Sequence, residues 1–295
     1  NRTVTGKNIN GMGIGVFQIL TDQPSGDPAV VAKHAETLGF ASYWVPEHAV
    51  IPEGSCENYP AATPGEPPPD YLYKMPDPMI ALARASAATS TIGLGTGIAL
   101  VPERNPLLAA KEIASIDHYS GGRMLYGIGA GWNEAECTVM GGDFPRRWTQ
   151  TKEAILAMKE LWTKEEAEFH GRYFDFPPVR SYPKPAQKPH PPVILGGMAR
   201  NVLRRIINIA DGWLPNRVTP AQVEESRAKL DAMAAEAGRD PASITISVYG
   251  QEPDRTIVQS LLSAGANRVV VRPDYYDSEE GMGQELERMA EAVLR

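Results

Sequence analysis

The chain has 295 residues, 42% hydrophobic and 22% charged, enough apolar material for a large core, which argues against disorder, fibre and coiled coil. Its formal net charge of −7 gives a surface that repels a phosphate backbone, so broad nucleic-acid binding is not expected. No run approaches the ~18 consecutive apolar residues of a membrane span, and no membrane partner is expected.

Glycines (27) and prolines (26) punctuate the chain more than a helical bundle requires. Cys56 and Cys137 stand far apart without a CxxC pattern, and are expected to be ordinary thiols of a reducing compartment. The opening Asn1-Arg2-Thr3 lacks a basic-then-apolar signal pattern, so a cytoplasmic protein is expected.

The chain alternates between strand and helix periods. Met12 to Leu20 reads as a buried strand, and Asp27-Pro28 opens a helix that carries Val31, Ala35 and Leu38 on one face and ends at Gly39. Ser42 to Pro46 is the next strand and Asp77 to Thr89 the next helix; Ile92 to Gly97 and Leu107 to His118 repeat the unit. Met124 to Ile128 precedes a helix from about Trp148 to Trp162. Pro192 to Leu195, Gly212 to Pro215, Ile244 to Tyr249 and Asn267 to Val271 are further strands, and helices fall at Ala199 to Ile209, Pro220 to Ala237, Asp254 to Ser263 and Glu279 to Leu294. Eight strand-then-helix units with no Gly/Ser linker predict one α/β domain over residues 1–295, a closed (β/α)8 TIM barrel. An open doubly wound sheet would want a G-x-G-x-x-G turn after its first strand, and none is there.

Two insertions interrupt the pattern, residues 50–77 after the second strand and residues 165–191 after the fourth helix. The first is Pro-rich, carries Tyr59, Tyr71 and Tyr73, and sits where barrel loops form the mouth, so it is expected to be a lid or substrate wall.

Chemistry in such a barrel lies at the strand C-termini. Gln18, Glu47-His48, Gly97-Ile98, Gly129-Ala130-Gly131-Trp132 and Gly196-Gly197 fall there. Glycines at three successive strand ends are expected to let a flat or phosphorylated ligand approach the backbone. Glu47-His48 puts a carboxylate beside an imidazole that can pass a proton. Asp117-His118 closes a helix and is read as structural. The five histidines form no i, i+4 pair and no cluster with cysteine, so no metal site is expected. Without a G-x-S-x-G elbow or a P-loop, hydrolase and kinase readings lose their usual support, and a cofactor that brings its own chemistry remains.

Three blocks, AETLGFASYWVPEH at residues 35–48, NPLLAAKEIASIDHYSGGRMLYGIGAGWNEAE at 105–136, and PPVILGG with ADGWLP at 191–197 and 210–215, resemble the bacterial luciferase-like monooxygenase superfamily, and more closely its oxidoreductases dependent on the deazaflavin coenzyme F420. The resemblance implies a (β/α)8 barrel with the ring across the strand C-termini, and a homodimer joined through helices of the second and third units, with Ala81, Ala85, Ala88, Ala109 and Ala110 allowing close contact. It implies that Glu47 and His48 approach the ring and that Gly97-Ile98 is the bulge where the family often has a non-proline cis peptide. Gly129, Ala130, Gly131, Trp132 and Asn133 form a wall; Gly196, Gly197 and Met198 mark the phosphate end, and Gln18 is a further cofactor contact. Hydride transfer between F420 and a small organic substrate is then expected, with His48 as proton partner and Trp132 packed near the reacting centre. The alternatives are a monooxygenase using reduced FMN and oxygen, or a flavin-binding protein without turnover. The sugar-phosphate dehydrogenase branch has Glu directly after the glycines where this chain has Trp132, so a sugar phosphate is not the expected substrate.

Overall fold

A computed structural model describes residues 13–22, 26–60, 66–274, 276 and 278–295. The strands are β1 (Gly13–Phe17), β2 (Ser42–Val45), β3 (Gly93–Thr96), β4 (Ala99–Leu100), β5 (Met124–Gly129), β6 (Ala167–His170), β7 (Asp175–Val179), β8 (Val193–Gly196), β9 (Gly212–Leu214), β10 (Thr245–Gln251) and β11 (Arg268–Val271). The α-helices are α1 (Pro28–Leu38), α2 (Pro78–Ala88), α3 (Pro106–Ser120), α4 (Glu134–Val139), α5 (Arg147–Thr163), α6 (Val202–Ile209), α7 (Pro220–Glu236), α8 (Arg255–Ser263) and α9 (Glu279–Val293).

Helix starts follow from local chemistry. Asp27, Asp77 and Asn105 cap α1, α2 and α3 by accepting from backbone N–H groups two or three residues on, and each is followed by proline, whose missing N–H costs nothing in a first turn. Gly39 and Gly121 end α1 and α3 in the left-handed region, at φ 101° and 72°. Glu36 staples α1 to the approach to β3: it accepts from the N–H groups of Ser90, Thr91 and Ile92, and although burial opposes ionisation, these bonds and Lys33 hold its carboxyl down at about 2.

The main sheet runs β3-β2-β1-β11-β10-β9-β8-β5, all parallel, and β3 also pairs with β5 through Leu94↔Met124 and Gly95↔Leu125, which closes the eight-stranded barrel. The short β4 extends the β5 edge at the mouth. Alternation along each strand sorts side chains into two layers. Tyr43 and Val45 face the helices, whereas Trp44 joins Phe17, Leu125, Ile194, Leu214 and Val270 along the axis. Trp44 fits because Gly95 faces it: a Cβ there would lie 2.3 Å from the indole ring. Arg268 lies over the Trp44 ring at 5.4 Å and donates to Ser247 Oγ, so a buried guanidinium has both an aromatic face and an acceptor.

Strand and helix boundaries expected from sequence hold to within a few residues. The short β4 and α4 and the antiparallel β6–β7 hairpin inside the second insertion were not expected. The alternating apolar signal is weak in that hairpin because Pro177 and Pro178 interrupt it and most of its residues are solvent-facing. Asp117 is structural as expected: buried at the end of α3, it accepts from Met124 N and from the backbone and side-chain nitrogens of Gln187. Cys56 and Cys137 are free and buried. Among the described residues no helix is long and apolar enough to cross a membrane.

Candidate functional site

The parallel strands deliver their C-terminal ends to one mouth, and the first insertion folds over it. Tyr71 packs against the axial cluster beside Ile98 and Tyr249, and its hydroxyl lies 3.4 Å from that of Tyr59 and 3.4 Å from an Arg272 nitrogen. The Tyr59 ring stands 5.5 Å from Trp132, and Trp132 stands 5.7 Å from His48 at 76°. Asn133 ties the insertion down. Its Oδ1 caps α4 by accepting from Ala135 N and Glu136 N, and its Nδ2 donates to Ser55 Oγ at 2.8 Å. Residues 61–65 of the insertion lie outside the described residues.

His48 follows β2 by three residues and is paired with Glu136: Nδ1 lies 2.7 Å from Glu136 Oε2, while Glu136 Oε1 accepts from Ala49 N at 3.1 Å. Glu136 is wholly buried in the first turn of α4. A carboxylate only accepts, so facing one Nδ1 is the donor of this pair and Nε2 is the ring nitrogen left for another partner.

Glu47 is turned elsewhere. Its Oε2 accepts from Leu100 N and its Oε1 from Arg104 Nε, both at 2.6 Å, and Arg104 also reaches Asp77 and Glu112. Burial pushes the Glu47 carboxyl up against the pull of Arg104, and Glu47 and Asp77 together hold the guanidinium protonated. Glu47 therefore anchors the segment after β3 beneath the mouth, and is not the partner of the adjacent imidazole.

The peptide Gly97-Ile98 is cis, as the resemblance implied. Two of the strand-end glycines make room for that turn. A Cβ on Gly129 would lie 2.0 Å from Ile98 Cδ1 and one on Gly196 3.0 Å from Ile98 Cγ2, so these two glycines let Ile98 lie across the barrel end as a floor. At Gly97 the same space abuts Phe17 at 3.2 Å. Gly131 and Gly197 have φ of +79° and +98°; a Cβ on Gly131 would stand 3.1 Å from Glu103 Oε1, whereas Gly197 has open space. Ala130 is buried and Met198 half-exposed. Gln18 sits apart from the axis, its Nε2 donating to Gly26 O and its Oε1 accepting from the Tyr43 hydroxyl in the layer under the helices.

Three site residues escaped the sequence reading: Glu136, Arg104 and Glu103. The spacing Asn133-x-x-Glu136 is that of a capped helix start, which could have located α4, although the carboxylate serves His48 and Ala49 rather than its own cap. Glu103 is 4% exposed, and neither of its carboxyl oxygens has a hydrogen-bond partner among the described residues. Burial, then the carboxylates of Glu136 and Glu47, push it up to about 9.

Where the next helix begins after Gly197, Asn201 makes no side-chain cap bond to α6. Arg205 lies over the Trp148 ring, with a buried Nη1 that finds no acceptor among the described residues, and the nearby cations Arg147 and Arg204 add to its desolvation in pulling it down. Gly197 thus leaves open space ahead of a helix start that has no side-chain cap among the described residues.

Residues 19–251 match the luciferase-like monooxygenase family. The chain is 41% identical over 217 residues to the uncharacterized protein Rv0953c of Mycobacterium tuberculosis, covering 72% of this chain and 75% of that one. Among solved structures, the monooxygenase RslO1 from Streptomyces bottropensis superposes with a TM-score of 0.76 at 18% identity, covering 96% of this chain and 99% of that one. An F420-dependent secondary alcohol dehydrogenase in complex with an F420-acetone adduct gives 0.74 at 20% identity, covering 96% and 98%. With the closed barrel and the length of sequence matched, the chain belongs to the luciferase-like monooxygenase family.

Proposed function

We propose that this oxidoreductase transfers a hydride between coenzyme F420 and a small organic substrate. The observation that carries the reading is the His48–Glu136 pair beside Trp132, an oriented imidazole next to an aromatic wall, with Ile98 packed on the axial cluster. Resemblance of the Gly129 to Glu134 block to the F420-dependent branch supports this cofactor over FMN.

The residues present fit such a group. Ile98 would lie under the ring, Trp132 and Tyr59 would wall it, and Gly197 with the start of α6 and Arg205 would hold its phosphate end. When bound, the deazaflavin supplies two-electron hydride transfer with little reaction toward oxygen. His48 Nε2 holds or returns the proton that balances the hydride, Glu136 keeps the imidazole in one tautomer, and the insertion carrying Tyr59 and Tyr71 excludes water. The second reading, a monooxygenase using reduced FMN, is supported by 31% identity over 147 residues, 49% of this chain, to an FMNH(2)-dependent dimethylsulfone monooxygenase of Pseudomonas putida.

The assembly is a homodimer in the same proposal. Ala81, Ala85, Ala109 and Ala110 are buried within the protomer, so Ile80 on α2 and Leu108 and Tyr119 on α3, 70%, 64% and 83% exposed, are apolar groups available for a partner. Sizing of the purified protein by light scattering tests this.

The cofactor is tested by parallel fluorescence titrations of the purified chain with F420 and FMN. Preferential binding of F420, and loss of turnover without loss of F420 affinity in His48→Ala, are expected. Preferential binding of FMN would move the protein to the oxygen-using reading.

A further inference from the structure

Glu103 is the buried titratable group at the mouth that hydride transfer does not employ. It ends the single 3-10 turn Val101–Glu103, immediately after β4. Its position is fixed on several sides. Pro102 O accepts from Gln150 Nε2 on α5, and Gly131 comes so close that a Cβ there would stand 3.1 Å from Glu103 Oε1. The ionisable groups around it are Glu47 after β2, Arg104 on its own segment, Glu136 and Cys137 on α4, and Arg147 on α5, whose Nε donates to Gly131 O.

Arg104, the nearest cation in sequence, is committed to Glu47, Asp77 and Glu112, and both Glu103 oxygens are left without a donor among the described residues. Glu136 already spends its two oxygens on His48 and Ala49. A third buried carboxylate here would be an anion with no donor beside two carboxyls, whereas a protonated acid adds no charge.

We propose that Glu103 stores one proton behind the His48–Glu136 pair, so that the imidazole faces a single carboxylate, and that loss of this proton at alkaline pH changes the field on His48. Glu103 is thereby a positioning residue that acts through Glu136. Its carboxyl, pushed up to about 9, places the release above neutral pH. On release the proton passes to solvent base and Glu103 gains one negative charge. Two anions then stand behind the imidazole and strengthen its hold on a proton, so a step in which His48 gives up a proton slows, and one in which it keeps a proton gains. The consequence for turnover rests on the role proposed above for His48; the stored proton does not.

The test uses the full chain without cofactor, so that it stands apart from the F420 reading. Infrared difference spectra between neutral pH and about pH 10 are recorded for the wild type and Glu103→Gln, with 15N signals of the histidine ring nitrogens followed over the same range. The wild type is expected to lose a protonated-carboxyl C=O band that Glu103→Gln lacks, and the His48 signals to show an alkaline inflection that the variant abolishes. Absence of that band at neutral pH, or an identical band change in Glu103→Gln, overturns the proposal. Should Glu103→Gln fail to fold, Glu136→Gln provides the second arm: removing the neighbouring charge must move the Glu103 band midpoint to lower pH, and an unmoved midpoint overturns the proposal. If the spectra behave as expected and F420 does not bind, the cofactor reading fails alone.

Discussion

His48 Nδ1 and Glu136 Oε2 meet at 2.7 Å across 88 residues of sequence, joining the end of β2 to the first turn of α4. The carboxylate is fully buried and also accepts from Ala49 N, so it fixes both the imidazole and the backbone that carries it. Glu136→Gln keeps the volume but substitutes an amide that can donate as well as accept, releasing the tautomer. Turnover is expected to fall on the order of 10²-fold with F420 affinity little changed, as for loss of an oriented acid–base group. Steady-state kinetics against pH, with a parallel cofactor titration, check this: an equal loss in both quantities would mean that Glu136 only supports the fold.

The elements were legible because their determinants are local. Asp27-Pro28, Asp77-Pro78 and Asn105-Pro106 announce helix starts, and the apolar run of β1 announces a buried strand. The site was legible only in part. Glu47 and His48 are adjacent in sequence, which suggested a pair, but successive residues leaving a strand diverge, and their partners come from α4 and from the segment after β4. Pro-Glu-Arg-Asn-Pro at 102–106 reads as a charged loop, and only the closed barrel reveals that Glu103 is buried and Arg104 committed. Gly129 and Gly196 were rightly placed at strand ends, but that their bareness also makes room for Ile98 depends on tertiary structure.

The Glu47–Arg104 pair should show the asymmetry of buried charge. Arg104→Met leaves Glu47 without its cation in a buried place and removes the link to Asp77 and Glu112, so a destabilisation of about 3–5 kcal/mol is expected. Glu47→Gln retains an acceptor for Leu100 N and is expected to cost less, about 1–3 kcal/mol. Urea unfolding of both variants gives the comparison; equal costs would place the pair in an environment more solvated than its burial indicates.

Glu103 also makes stability depend on pH with a definite sign. The folded carboxyl is raised to about 9 from an ordinary value of 4.5, so folding favours the protonated form, and its contribution is fully present below 4.5 and lost as pH rises toward about 9. At pH 7 the cost is roughly 3 kcal/mol relative to acid conditions. Glu103→Gln cannot ionise, and its stability relative to the wild type should therefore climb between pH 4.5 and about 9. Thermal melts across that range measure the slope, and a constant offset would mean that Glu103 is ionised when folded.

Two glycines of the mouth should separate packing from binding. Gly127 lies inside β5, where a Cβ would fall 2.0 Å from the backbone oxygen of Thr96, and that oxygen cannot move without displacing β3. Gly127→Ala is expected to cost about 3 kcal/mol, the upper end of ordinary overpacking. Gly197 has φ +98° with nothing within 4 Å, so Gly197→Ala carries backbone strain alone, of order 1–2 kcal/mol, while its methyl enters the space proposed for the phosphate end. Gly197→Ala is therefore expected to weaken F420 binding by about tenfold, the equivalent of ~1.4 kcal/mol, with a smaller loss of stability than Gly127→Ala. Denaturant unfolding and cofactor titration on the same preparations decide it, and unaltered affinity in a folded Gly197→Ala protein would move the phosphate end away from α6.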